Sequence, residues 1–399
     1  MFSNLPILAP DPLWGLSAAF RQDPRPSRID LVVGVYRDAT GVTPVLDVVK
    51  AAERRLAMEA PSKAYRSLAG NVEFNDAMAK LLLGAEPARL ARQFTMQTIG
   101  ASGALRLLAD LVARANPAAT VWSTDPAYVN HRPLMEAARL RVNHYRWRER
   151  GGVVDVEAVL DDLFAARRGD VVLLHGCCHN PTGIDMPLAG WAAIADLCAS
   201  RGLVPLVDIA YQGFGDGLDE DVAGLRLLVD RLDTVLVSAS CSKNMGLYCE
   251  RTGTATVIAG DTAALRAIPG TLERITRSNY SMPAEHGAAV AAALLADPEP
   301  WRRELEGMRR RVVGLRNALA DALERLGLPE EVSGLRRHKG ICSMLPLGPD
   351  AMTRLREEFA IYGTQTGRIN IAGLHPDQIE TVAHALACVS SADHRSVAA

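Results

Sequence analysis

The sequence predicts an α/β protein built on a mostly parallel sheet. Short apolar runs, Val171-Val-Leu-Leu174, Leu203-Val-Pro-Leu-Val207 and Thr234-Val-Leu-Val237, read as buried strands, and each ends in a polar loop. Helix and strand signals alternate around them as far as about Val257, as a parallel sheet requires. Of the 399 residues 48% are apolar, which supports a large core divided between two lobes.

In chain order, the N-terminus from Met1 to Pro10 has no basic start and its apolar residues are interrupted by prolines, so no signal peptide is expected. Trp14-Gly-Leu16-Ser-Ala-Ala-Phe20 has the spacing of a short amphipathic helix, and Leu31-Val-Val-Gly34-Val-Tyr36 reads as a strand. A helix is expected to start near Asn71, where Glu73 and Phe74 follow a capping residue. Gly100-Ala-Ser102-Gly103 opens another helix that runs to about Ala115, and Val121 to Asp125 reads as a strand. From about Pro300 a charged helix passes through Arg311 to Leu326, in the pattern of a lobe connector with a solvated face. Lys339 to Ser343 reads as a strand, and the polar tail beyond Ser390 is expected to fray. No apolar run is long enough to span a bilayer. A net charge of −2 argues against a nucleic-acid partner. The seven cysteines are odd in number and lack metal-ligand spacing, so no metal and no disulfide framework is expected; reduced cytosolic thiols fit better.

The chemistry concentrates where the strands end, the usual place for ligands in open α/β sheets. Beyond Val237 stand Ser240, Ser242, Lys243 and Arg251. Hydroxyls beside an arginine fork suit a phosphate, and a lysine amine can condense with an aldehyde. Aldehyde plus phosphate is pyridoxal 5′-phosphate; the plainer reading is a basic loop on the sheet rim. Asp208 follows a second apolar run and can pair with a pyridinium nitrogen. Tyr211, three residues on, can donate to the ring oxygen. Asn180 lies in the turn His179-Asn-Pro-Thr-Gly183 and faces the end of a third strand. The small residues from Gly100 to Gly103 let a helix start approach an anion.

These segments resemble the aspartate and aromatic aminotransferase branch of the class I, fold-type I pyridoxal-phosphate enzymes. The resemblance runs from Pro10-Asp-Pro12 to Gly367-Arg368-Ile-Asn-Ile-Ala-Gly-Leu374 and is carried most specifically by Ser-Lys243-Asn-x-Gly-Leu-Tyr-x-Glu-Arg251 and Asp208-x-Ala-Tyr-Gln-Gly-Phe214. It implies a large cofactor-binding domain over residues 44–308, its mostly parallel sheet flanked by helices. A smaller α/β domain would be made from both chain ends, 1–43 and 309–399. By the same resemblance Lys243 holds the cofactor and then shuttles a proton, with Asp208 and Tyr211 as its catalytic partners. Ala101, Ser102, Gly103, Ser240, Ser242 and Arg251 bind the phosphate, and Tyr65 reaches it across a dimer interface. Tyr128 stacks on the ring, Asn180 contacts cofactor and substrate, and His131 relays a hydrogen bond to Asp208. Arg368 takes the substrate α-carboxylate, and Arg277 enters the neighbouring subunit's site to pair with a side-chain carboxylate. Gly34, Trp14 and Cys342 border the substrate, although Trp14 reads equally as ordinary core.

Four places depart from that pattern. Gly100-Ala101 stand where aspartate-selective members have Ser-Gly, Tyr128 where Trp is usual, Cys342 where Phe is common, and Trp14 where a smaller aliphatic residue is usual. With apolar Ala64 beside Tyr65 and Met282 after Tyr280-Ser281, they point to an aromatic amino acid as donor: phenylalanine, tyrosine, tryptophan or a substituted analogue. The acceptor implied is a dicarboxylic 2-oxo acid such as 2-oxoglutarate, used in a ping-pong cycle through pyridoxamine phosphate by a cytoplasmic homodimer. Aspartate as donor is the alternative. A non-catalytic regulator would carry an added DNA-binding segment, for which the chain has no spare length. β-Elimination and decarboxylation fit less well, since Arg368 and Arg277 would hold both substrate carboxylates.

Overall fold

The computed structural model describes residues 2–7 and 11–396, without the side chains of Ser3 and of 391–396. Met1 and residues 8–10, which include Pro10, lie outside the described residues. The chain forms two compact units, Pro44–Arg310 and Met1–Thr43 with Arg311–Ala399.

The Pro44–Arg310 unit holds a seven-stranded sheet. Its strands are β1 (Gln93–Ile99), β2 (Thr120–Asp125), β3 (Arg141–Arg146), β4 (Val171–His175), β5 (Val204–Ile209), β6 (Thr234–Ser240) and β7 (Thr252–Ala259). Across the sheet they run β1-β7-β6-β5-β4-β2-β3, and only β7 is antiparallel to its neighbours. β4 is buried along its whole length, as expected of a parallel strand covered on both faces. On one face Met96, Val121, Leu173, Leu206, Leu236 and Val257 form a core with Leu105, Leu108 and Ala109 of helix α1 (Gly100–Ala115). The spacing of those three helical residues puts them on one side. Asn71 caps the helix Val72–Leu83 as its sequence predicts, accepting from Phe74 N–H at 2.8 Å.

The other unit contains two small sheets. Ile29–Asp30 pairs in parallel with Ile361–Tyr362, and Cys342–Met344 pairs antiparallel with Arg368–Asn370. The strand expected over Leu31 to Tyr36 does not form. Leu31 N–H still donates to Tyr362 O, but side chains then serve the carbonyls: Arg368 binds Val32 O, and Asn370 Nδ2 donates to Val33 O at 2.7 Å and Val35 O at 2.8 Å. A buried apolar run needs its backbone groups satisfied, and here side chains replace the ladder. The strand expected from Lys339 is confined to Cys342–Met344, since Gly340 O accepts from Arg316 instead. Trp14 lies in the predicted helix, Pro12–Gln22, yet is 66% exposed, so it is not ordinary core. The last helix, Ile379–Ser396, continues past Ser390, where fraying is expected. The long charged helix is present as α2 (Pro298–Arg325), and the unit boundary falls within it.

Candidate active site

Sheet register assembles the buried centre of the Pro44–Arg310 unit. His175 lies opposite Asp208, and Asp208 lies opposite Ser238, so three neighbouring strands place these residues in one row. Asp208 is buried, and both its oxygens are engaged: Oδ2 with His131 Nε2 at 3.0 Å, Oδ1 with the Ser238 hydroxyl at 3.0 Å. Burial pushes the carboxyl upward, but the hydrogen bond and charge of His131, aided by His175 and Ser238, hold it below the usual range. Asp208 is therefore ionised at neutral pH, and His131 Nε2 is the donor. Tyr128 packs edge-on against His131 with ring centroids 5.3 Å apart. Behind His131 lie His175 and His179, followed by Trp147, which stacks on His179 at 4.6 Å. Burial, then the neighbouring His131, pulls His175 down to about 3, and burial takes His179 well below its ordinary value. Both rings are neutral at pH 7.

The turns after β4, β5 and β6 bring three more predicted residues together. Lys243 Nζ lies 5.3 Å from the Tyr211 ring centroid, and Asn180 Nδ2 donates to the Tyr211 hydroxyl at 3.4 Å. Ser240 Oγ accepts from Ser242 N–H at 3.0 Å, and Arg251 Nη1 donates to Ser242 Oγ at 3.4 Å and to Tyr248 O at 3.0 Å. Helix α1 starts beside them without a side-chain cap, with Ala101, Ser102 and Gly103 half-buried in its first turn. Two glycines fix this meeting. Gly100 has φ +64°, and a Cβ there would stand 2.6 Å from Arg251 Nη2. A Cβ on Gly253 would stand 2.5 Å from Ala239 O and 2.7 Å from the Gly100 carbonyl carbon. The missing hydroxyl at position 100 thus has a local cause: a serine there would be strained and would displace the arginine.

Tyr65 and Arg277, of the same unit, lie on its surface and not in its buried centre. Tyr65 is 94% exposed. Arg277, in the last turn of the helix Thr262–Asn279, is exposed and donates to Ser281 Oγ at 2.8 Å. In the second unit Arg368 is buried, bonded to Val32 O, and its Nε has no hydrogen-bond partner. Gly34 and Cys342 flank it: a Cβ on Gly34 would lie 3.8 Å from Cys342 Sγ and 4.0 Å from Arg368 Nη1.

Sequence reasoning misses Ser238, Gly253 and the histidines behind His131. Ser238 and Ser240 alternate on one strand face, which is a readable signal; the register that brings Ser238 to Asp208 is not. Among the described residues two buried clusters also have metal-ligand composition, His131-His175-Asp208 and Cys177-Cys178-Asp221. Their carboxylates are already engaged, the second by the N–H groups of Gly213, Gly215, Asp216 and Gly217. All seven cysteines are free thiols.

Residues 26–386 match the family model described as aminotransferase class I and II. The chain belongs to that family. The aminotransferase is 43% identical to an aromatic-amino-acid aminotransferase of Paracoccus denitrificans, over 97% of this chain and 99% of the relative. It is 39% identical to an aspartate aminotransferase of Escherichia coli K12, over 98% of this chain and all of that one. Among solved structures, an aromatic-amino-acid aminotransferase from Burkholderia pseudomallei, covalently bound to pyridoxal phosphate, superposes with a TM-score of 0.94 at 37% identity, covering 98% of this chain and 99% of that one. With the family come a fold-type I architecture, transaminase activity and pyridoxal 5′-phosphate as cofactor. The residues present fit that cofactor. An anionic Asp208 suits a protonated ring nitrogen, Lys243 would supply the amine, and hydroxyls, a guanidinium and an uncapped helix start suit its phosphate.

Proposed function

We propose that this chain is an aromatic-amino-acid aminotransferase that exchanges an amino group between an aromatic L-amino acid and a dicarboxylic 2-oxo acid such as 2-oxoglutarate. One observation carries the aromatic choice: the wall beside Arg368. Its residues are Gly34, Ile341 and Cys342, small or apolar, and a Cβ on Gly34 would already stand in van der Waals contact with Cys342 Sγ at 3.8 Å and Ile341 Cδ1 at 3.9 Å. Arg368 would take the α-carboxylate with its unpartnered Nε, and the small apolar residues beside it would face the ring. The names of the Paracoccus and Burkholderia relatives agree.

Pyridoxal phosphate, when bound, supplies an electron sink for the substrate carbanion. The protein's part follows from its side chains. Lys243 would take the proton from the substrate Cα and return it one position along, as base and then acid. Asp208 would hold a proton on the cofactor's ring nitrogen, and its ionised state depends on His131. Tyr211 and Asn180 would hold the ring oxygen. Ser240, Ser242, Arg251 and the first turn of α1, with Ala101, Ser102 and Gly103, would bind the phosphate. Tyr128 would lie against the ring.

A second reading, aspartate as the preferred donor, is favoured by Arg277, whose exposed guanidinium suits a side-chain carboxylate, and by the likeness to the Escherichia coli enzyme. Half-reactions with phenylalanine, tyrosine and aspartate, followed by absorbance without any oxo acid, separate the two. The aromatic reading fails if aspartate is preferred by about a hundredfold, the scale on which a pocket discriminates.

The active unit we propose is a homodimer, with Tyr65 and Arg277 supplied to the partner's site; both are exposed in the single chain. Mixing Lys243→Ala chains with Arg277→Ala chains should then restore turnover of aspartate in hybrids, where one site combines Lys243 of one chain with Arg277 of the other. A reducing cytoplasm suits the seven free thiols. No helix among the described residues is long and apolar enough to cross a membrane.

A further inference from the structure

Lys243 sits in a short turn closed by two long main-chain hydrogen bonds. Met245 N–H reaches Cys241 O at 3.3 Å, and Gly246 N–H reaches Lys243 O at 3.3 Å. A shorter bond comes from outside. Trp301 Nε1 donates to Asn244 O at 2.7 Å, and the indole is fully buried. Trp301 stands in the first turn of α2, and Glu304, Leu305 and Arg309 share its face of the helix.

Each of those residues braces a catalytic turn or its support. Glu304 accepts from Asp47 N–H at 3.0 Å and Val48 N–H at 2.9 Å, capping the helix Asp47–Glu59, which has no side-chain cap of its own. The chain just before that helix borders the lysine turn: a Cβ on Gly246 would lie 3.6 Å from Pro44 O and 3.7 Å from Leu46 Cγ. Leu305 packs on the tyrosine turn, where a Cβ on Gly213 would meet Leu305 Cδ2 at 2.5 Å. Arg309 Nη1 donates to Gly215 O at 3.4 Å. One helical face therefore touches both turns whose side chains, Lys243 and Tyr211, stand 5.3 Å apart.

We propose that Trp301 is a positioning residue for Lys243, setting the lysine main chain through the Asn244 carbonyl. The proposal rests on Lys243 being the proton-shuttling lysine. Without the indole N–H, the buried Asn244 carbonyl loses a short hydrogen bond next to Lys243. A displacement of about 1 Å at a reacting group costs on the order of a hundredfold in rate. If Trp301 only filled space, its loss would lower stability and leave the rate alone.

The test uses the holoenzyme. Trp301→Phe removes the indole N–H and keeps a buried ring; Trp191→Phe, a buried tryptophan of the helix Leu188–Arg201, controls for truncation. In Trp301→Phe the single-turnover rate with phenylalanine should fall about tenfold or more, while half-saturation moves less than about threefold. The pH midpoint of the bound-cofactor absorbance should shift as well, and Trp191→Phe should move neither. An unchanged rate and midpoint in Trp301→Phe overturns the proposal. Should that variant not fold, the Trp301 indole N–H resonance in the wild type decides, assigned by replacing Trp14, Trp122, Trp147 and Trp191. It should shift when phenylalanine frees Lys243 from the cofactor, and a stationary signal overturns the proposal. A Lys243→Ala protein that still attaches cofactor and turns over would sink the reading of Lys243 itself; an inert one beside an unaffected Trp301→Phe would sink only the role of Trp301.

Discussion

Asp208 is buried at the end of β5 with both carboxylate oxygens bonded, whereas Arg277 of the same unit lies on the surface and bonds to the Ser281 hydroxyl. The first group is fixed by three strands and a histidine, so its charge and direction exist before any ligand arrives. The second sits at a helix end, exposed to solvent. Under the proposed roles, chemistry shared by all substrates would rest on the rigid strand ends, and selection among substrates on the periphery.

That contrast can be broken first at the buried end. Replacing Lys243 with alanine should cut the half-reaction by about 10⁴-fold with every donor, since a positioned acid–base group contributes up to that factor; rapid-mixing absorbance checks it. Asp208→Asn should lower kcat by about 10³-fold with aromatic and dicarboxylic substrates alike, the scale of losing one electrostatic stabiliser. Arg368→Lys should weaken all amino acids by about a hundredfold in kcat/KM, because the planar fork is lost. At the periphery the outcome should differ in kind. Arg277→Lys should cost about tenfold with aspartate or 2-oxoglutarate and leave phenylalanine unchanged. A uniform loss in that variant would erase the distinction.

The smallest effect is on pH dependence. His175 and His179 are neutral when folded, with values pulled below the ordinary 6.5. The unfolded chain then binds more protons, so stability is full above about 6.5 and falls as pH drops; for His175 the fall runs toward pH 3 at about 1.4 kcal/mol per pH unit. Asp208, also depressed, adds a loss below about pH 4. Urea midpoints should fall between pH 7 and 5, and His175→Gln should flatten that slope.

The sequence makes the parallel sheet legible because its strands are continuous apolar runs ended by polar loops. Lys243, Asp208, Tyr211 and Asn180 are legible for the same reason: Asp208 directly follows such a run, and the others lie in the loops that leave one. Leu31 to Tyr36 misleads because an apolar run says nothing about who satisfies its carbonyls, and Asn370 and Arg368 lie far along the chain. The row His175–Asp208–Ser238 is hidden because register is a property of three strands at once. Gly100 looks like a lost phosphate contact until Arg251 is seen to occupy the space a side chain would need. Trp301 is not singled out by the sequence, which shows only a charged helix there; its bond to Asn244 O is visible only in the structure.

The reversed strand β7 has a consequence for how this protein is made. Edge strand β1 pairs only with β7, placing Ile99 opposite Thr252. During synthesis β1 therefore leaves the ribosome long before its partner exists. Until Ala259 has emerged, that edge is open to pairing with another nascent chain. Sheet closure must wait for late sequence, which makes refolding slow for the size of the unit. Truncations that end before Thr252 should accumulate as aggregates, and those that end after α2 begins should not.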